Sequence, residues 1–190
     1  MNVTIVGVGA LGSHLVQFLR NEDISITVID FDRVERRNVA SQFHSKAHVG
    51  KQKVAALQQS MQFLYGRQIS IVGNKLTKAN SEVLQRKAGF VIDCLDNGEG
   101  RRIIQNFARA NGNACLHGAL AADGSFGRVI WDRNFVIDDE AGAGDATCED
   151  GEFLPFIALT AAYLARAAQI YIRDSKKVGF SISPGGVVRI

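Results

Sequence analysis

The chain has 190 residues, 46% apolar and 22% charged, a composition that suits one folded domain with a sizeable core and excludes a disordered or low-complexity chain. Its 22 basic and 19 acidic side chains leave a formal charge of +3, too small a surplus to argue for nucleic acid as a partner. Three cysteines, Cys94, Cys115 and Cys148, are odd in number, far apart and without a C-x-x-C pair, so neither a disulfide framework nor a zinc clip is indicated and a reducing cytoplasm is the expected setting.

The first apolar run, V-T-I-V-G at 3–7, predicts a buried strand, and no basic leader precedes it, so no signal peptide is expected. Leu11, Leu15, Val16 and Leu19 follow at helical spacing, then I-S-I-T-V-I-D (24–30) as a second strand. Residues 50–65 place Val54, Leu57, Met61 and Leu64 on one helix face; S-I-V (70–72) is a brief strand and 79–87 a short helix. F-V-I-D-C (90–94) is a strand, 99–110 a helix, and A-C-L-H-G (114–118) and G-R-V-I-W (127–131) are strands close enough for a hairpin-like return. Residues 132–152 are acidic, glycine-rich and aperiodic, and read as a mobile loop. The apolar stretch 153–172 is interrupted by Arg166 and Gln169 and predicts a buried helix, with no membrane partner expected. K-V-G-F-S-I-S and V-V-R-I close the chain around P-G-G. Alternating strands and helices imply a single α/β domain over 1–190: a Rossmann-like, mainly parallel sheet covered on both faces, with antiparallel C-terminal strands.

Residues 7–12 read G-V-G-A-L-G, directly after a predicted strand and at the opening of a helix. In that context Gly7 permits the tight turn, Gly9 lets a phosphate approach the backbone, and Gly12 lets helix and strand pack closely. The exposed N–H groups of the helix start favour an anion. Asp30 lies 18 residues beyond Gly12, at the end of the second strand, where a carboxylate can accept hydrogen bonds from a ribose diol. An NAD enzyme would show the same two features, so the nucleotide is open at this point.

The segments D-F-D-R-V-E-R-R-N-V-A-S-Q (30–42), H-V-G-K-Q-K (48–53) and D-C-L-D-N-G-E-G-R (93–101) together resemble the ThiF/MoeB/HesA family, bacterial relatives of ubiquitin-activating enzymes. The likeness continues through H-G-A-L (117–120), Gly124, Gly127 and T-C-E-D-G (147–151), and so covers almost the whole chain. It implies an enzyme that binds ATP with magnesium and adenylates the C-terminal carboxylate of a small ubiquitin-like or sulfur-carrier protein ending in Gly-Gly, or of a peptide, as a homodimer. The nucleotide-binding set it implies is Gly7, Gly9, Gly12, Asp30, Asp32, Asn38, Gln42, Lys53, Asp96 and Asn97. Within it Asp30 would hold the ribose, Asn38 and Gln42 match amides beside the triphosphate, and Lys53 matches a lysine on phosphate. Asp96 matches the aspartate that helps hold magnesium, with Asn97 beside it; Arg101 closes the motif, and its role is open. In such chemistry the carboxylate attacks the α-phosphorus and pyrophosphate leaves, with no general base because the nucleophile is already ionised at neutral pH.

The sequence departs from the family pattern in three places. Ser41 stands where N-L-x-R-Q has an arginine that meets phosphate. The sequence opens on its first strand, without the N-terminal helices that carry an arginine into a partner subunit's site. The zinc-binding C-x-x-C pairs of many relatives are missing, so no structural zinc is expected. These losses keep a second reading open, a non-catalytic nucleotide-binding partner subunit of an activating enzyme; an NAD-dependent oxidoreductase is a third. Cys148 falls where relatives carry a thioester- or persulfide-forming cysteine and is the catalytic candidate. A helix start would favour its thiolate and Glu149 and Asp150 would oppose it, so an unreactive loop thiol is the competing reading. Cys94 and Cys115 read as small buried hydrophobes, and His44, His48 and His117 show no metal-ligand spacing.

Overall fold

The computed structural model describes residues 1–85, 89–121, 123–137 and 151–190. Eight strands are found among them: β1 (Asn2–Val6), β2 (Ser25–Ile29), β3 (Ser70–Val72), β4 (Phe90–Asp93), β5 (Ala114–Leu120), β6 (Gly127–Trp131), β7 (Phe180–Ser183) and β8 (Gly186–Arg189). They form one sheet in the spatial order β3-β2-β1-β4-β5-β6-β7-β8. β1 pairs in parallel with β2 and β4, as do β2 with β3 and β4 with β5. From β5 onward every pairing is antiparallel. The helices are α1 (Ala10–Phe18), α2 (Asn38–Ser41), α3 (Lys53–Tyr65), α4 (Glu82–Gln85), α5 (Gly98–Asn111) and α6 (Leu154–Asp174), with 3-10 turns at Lys46–His48, Lys78–Asn80 and Asp132–Asn134.

The central strands are apolar in consecutive positions because both faces of the sheet are covered. Ile5 and Ile92 enter one core with Leu15, Leu57 and Leu164, whereas Val6 and Val91 enter the other with Ile103, Ile104 and Phe107 of α5. α6 is long and apolar enough by length and composition to cross a membrane. Here it lies on the sheet, burying Ile157, Ala161, Leu164 and Ala168 against β5, β6 and α1. Two strand glycines allow that approach: a Cβ at Gly118 would sit 2.9 Å from Leu164, and one at Gly127 2.5 Å from Thr160 Oγ1. Trp131, at the end of β6, joins the parallel and antiparallel halves of the sheet. Its ring meets Phe90 at 5.5 Å and Tyr171 at 4.9 Å, and its Nε1 donates to the Val178 carbonyl at 3.0 Å.

The structure departs from the sequence expectation at several boundaries. The helix expected from residue 50 begins at Lys53, because Gly50–Gln52 is tied to the exit of β2: Gly50 N–H donates to Val34 O, Val34 N–H to Lys51 O, and Arg33 bridges Gln52. The helix expected at 79–87 is a 3-10 turn followed by the four residues of α4, and residues 86–88 lie outside the described set. Of the loop expected over 132–152, residues 132–137 and 151–152 are described. Asp132–Asn134 forms a 3-10 turn, and Asp132 and Phe135 anchor it to Arg109 and His117; 138–150 lie outside the described residues.

Candidate functional site

From β1 the chain winds outward through β2 and β3; from β4 it winds the other way through β5. The carboxyl ends of β1 and β4 therefore flank a topological switch point, where the connecting loops diverge and leave a crevice. The turn after β1 carries the three glycines. Gly7 has φ +88° and a Cβ there would lie 2.9 Å from the Cys94 carbonyl oxygen. A Cβ at Gly12 would lie 1.9 Å from Gly7 O, so α1 rests directly on the turn it follows. Gly9 is different: the nearest atom to a Cβ there is Gln42 Nε2, at 3.9 Å. α1 begins at Gly9 with no side-chain cap, which leaves its first-turn N–H groups for an external acceptor.

Side chains grip this turn from behind. Val8 N–H donates to Asp30 Oδ2 at 2.8 Å, and the Val8 carbonyl accepts from His44 Nε2 at 3.0 Å. Asp30 Oδ1 accepts from Asp32 N–H at 2.8 Å, so both oxygens of Asp30 already brace main chain, each with one acceptor position to spare. Burial raises the Asp30 carboxyl above its usual range, while the two amide donors and Lys53 pull it back. Burial pushes His44 down to about 4, so its ring is neutral near pH 7 and, with Nε2 donating, Nδ1 is a buried acceptor without a partner. His14, lowered by burial too, donates from Nε2 to Ser41 O at 3.0 Å.

The start of α3 brings a buried cation to this edge. Lys53 is buried, its Nζ lies 3.1 Å from Asp32 Oδ2, and its N–H donates to Asp32 O at 2.8 Å. Asn38 is buried with its Oδ1 accepting from Glu35 N–H at 2.8 Å, so that oxygen shapes the turn into α2. Gln42 has a buried Oε1 with no partner, and its Nε2 is the atom nearest the open side of Gly9. Ser41 is fully buried and its Oγ has no partner: at this position α2 turns its side chain inward.

The turn after β4 completes the edge. Asp93, fully buried, accepts from Leu95 N–H at 2.9 Å, and Arg101 Nη2 donates to the Leu95 carbonyl. Arg101 also reaches Gly118 O at 3.3 Å, so the arginine that closes the D-C-L-D-N-G-E-G-R segment ties the turn to β5. Asp96 follows, exposed, and Asn97 caps α5 by accepting Gly100 N–H at 2.8 Å. This turn is seated on the glycine turn: Leu95 Cδ2 would lie 3.1 Å from a Cβ at Gly7. Gly7, Gly9, Gly12, Asp30, Asp32, Lys53, Asp96 and Asn97 thus share the carboxyl edge of β1, β2 and β4, with Gln42 against Gly9. Cys148 lies outside the described residues. Burial raises the thiols of Cys94 and Cys115. His44 and His117 were not singled out by the sequence, because their partners Val8 and Asp93 are 36 and 24 residues away.

Two cavities flank β5, one at each end. One, of about 520 Å³, runs between the Asp123–Ser125 turn and the start of α6, walled by Phe153, Pro155, Phe156 and Leu159. It opens at the edge that bears the crevice, since β5 runs out into that turn. The other, of about 490 Å³, lies at the opposite end of β5 beside Arg109, Asp132 and Lys177, and is not part of this edge.

Sheet order, glycine turn and switch-point crevice define a Rossmann-type domain. The ThiF family model matches residues 1–171, and the chain belongs to the ThiF family. Over 122 residues, 62% of this chain, it is 29% identical to the SAMP-activating enzyme E1 of Haloferax volcanii. Over 122 residues, 63% of this chain, it is 28% identical to the sulfur carrier protein adenylyltransferase of Thermus thermophilus. The chain spans 45% of the length of each of these relatives. Among solved structures it superimposes on E. coli MccB with MccA-N7isoASN at a TM-score of 0.80, with 15% identity, covering all of this chain and 63% of that one. The same protein with ATP gives a TM-score of 0.75 at 15% identity, covering all of this chain and 62% of that one. At that identity the superposition speaks for the fold.

Proposed function

We propose that this chain uses ATP to adenylate the C-terminal carboxylate of a small ubiquitin-like or sulfur-carrier protein, or of a peptide. The observation that carries the proposal is the pairing, at one switch point, of an uncapped helix start behind Gly9 with a buried lysine and an exposed aspartate. The residues fit a polyphosphate: Gly9 leaves space, Gln42 Nε2 borders that space, and the α1 N–H groups are unclaimed. Asp30 would take the ribose on its spare acceptor positions, and Lys53 would exchange Asp32 for phosphate oxygen. Asp96 would hold magnesium, which supplies charge neutralisation at the leaving pyrophosphate. The acceptor carboxylate forms its bond to the α-phosphorus as the α–β bridge breaks, and the chain's work is to hold the two anions in line. The apolar cavity at the start of α6 suits the extended tail of a carrier or peptide. The working form in this reading is a homodimer.

The test is ATP–pyrophosphate exchange in the presence of a carrier ending in Gly-Gly. Exchange is expected to depend on the carrier and to vanish in Asp96→Ala; exchange that persists unchanged in that variant overturns the assignment. One observation favours a second reading. The buried, inward-facing Ser41 supplies no cation where the family has an arginine. Tight ATP binding without exchange, with exchange regained on adding a second subunit, would select a non-catalytic partner subunit.

A further inference from the structure

We propose that His117 is a positioning residue for the metal end of the site: it holds Asp93, and Asp93 sets the turn that presents Asp96. The inference rests on the reading of Asp96 as a magnesium ligand. The β4–β5 register places Asp93 directly opposite His117. His117 Nδ1 donates to Asp93 Oδ2 at 2.8 Å, and both side chains are fully buried. The other oxygen, Asp93 Oδ1, accepts Leu95 N–H at 2.9 Å. Leu95 lies past the ladder bond from Cys94 N–H to Val6 O, so side chains, not the sheet, fix it: Asp93 at its amide and Arg101 at its carbonyl. Asp96 is the next residue and inherits that placement.

The imidazole is itself braced. Phe135 stacks on it at 4.0 Å and 12°, with Arg101 over the Phe135 ring at 5.3 Å. Nε2 faces Asp132 Oδ1 at 3.3 Å and Cys115 Sγ at 3.4 Å, and Asp132 Oδ2 in turn accepts from Arg109 Nε at 2.8 Å. A buried carboxylate–imidazole pair is a costly way to join two strands that a hydrogen-bond ladder already joins. Its position at the end of β4, where the paired strand gives way to the turn, is where such a pair gains something the ladder cannot supply. Groups that orient a metal ligand in this manner typically govern metal affinity without touching the metal.

The experiment compares His117→Gln, whose amide reaches the Nε2 position, with His117→Asn, whose amide replaces Nδ1 and keeps the bond to Asp93. Two quantities are read: amide exchange at Leu95 in the metal-free protein, by NMR, and ATP affinity with and without Mg²⁺, by calorimetry. In His117→Gln, Leu95 exchange is expected to accelerate and the Mg²⁺-dependent gain in ATP affinity to fall by about 10-fold, with metal-free ATP binding unchanged. His117→Asn is expected to restore both. Equal behaviour of His117→Gln and the parent protein in both readouts overturns the proposal, as does failure of His117→Asn to do better than His117→Gln. Should His117→Gln not fold, Asp132→Asn decides: a smaller shift in the same two readouts supports the proposal and no shift in either overturns it. If the parent protein shows no Mg²⁺-dependent ATP binding, the reading of Asp96 fails by itself, and Leu95 exchange alone then judges whether His117 sets the turn.

Discussion

The two turns that flank the switch point solve the same problem by opposite means. In each, one residue is held at both its amide and its carbonyl by side chains: Val8 by Asp30 and His44, Leu95 by Asp93 and Arg101. The turn after β1 is otherwise made of absences. It has no Cβ at three positions and no cap on α1, and the open face it leaves at Gly9 is where an anion can sit. The turn after β4 is made of buried polar side chains, and its helix is capped by Asn97. The first turn leaves the helix start behind it uncapped, whereas the second fixes Leu95 at both ends and caps the helix that follows.

The comparison is broken most severely at Gly12. Gly12→Ala puts a methyl 1.9 Å from Gly7 O, against main chain that cannot give way, and is expected to cost about 3 kcal/mol or more in urea denaturation. Gly9→Ala, facing open space, should keep the fold and lose ATP affinity; equal destabilisation by the two would erase the distinction drawn between them.

Lys53→Met keeps the buried stem and removes the charge. A loss of about 10²-fold in exchange rate is expected, with the thermal midpoint shifted by only a few degrees.

A pH titration separates the turns next. His44 is depressed to about 4 in the folded state from an ordinary 6.5, so the unfolded chain binds its proton first as pH falls. Stability is complete above pH 6.5 and is lost as pH drops toward 4, by about 2 kcal/mol between pH 7 and pH 5. His14 is lowered too and adds in the same direction. Denaturation midpoints at the two pH values check this, and His44→Gln should flatten the slope.

The smallest effect falls on the capped turn. Asn97→Ala loses the bond to Gly100 N–H and is expected to cost about 1 kcal/mol, measured by thermal unfolding.

Much of the fold is legible because its signals are local. The apolar runs that became β1, β2 and β4, and the G-V-G-A-L-G turn behind the first of them, each announce themselves within a few residues. The edge that gathers Asp30, Lys53 and Asp96 was readable only because three segments match one family pattern in order. What stayed hidden depends on register. His117 is an unremarked residue of a strand until β5 pairs with β4 and sets it opposite Asp93. His44 lies in a segment with no period, and nothing near it in sequence shows that it meets Val8. Ser41 was legible as a missing arginine, yet its burial comes from the packing of α2 on α6 and from the His14 hydrogen bond to its carbonyl. Residues 132–137 look aperiodic because side chains, Asp132 on Arg109 and Phe135 on His117, hold them in place of a regular backbone.

Trp131 is the sole tryptophan of the chain, and it sits where the parallel strands meet the antiparallel ones, sandwiched near Phe90 and Tyr171 with its indole N–H on Val178. Its emission therefore reports the docking of the C-terminal meander and long helix onto the parallel half of the sheet. Parallel strands must wait for their crossover helices, whereas the meander closes through short turns. Stopped-flow fluorescence of the unmodified protein should thus time the moment at which the two halves become one body.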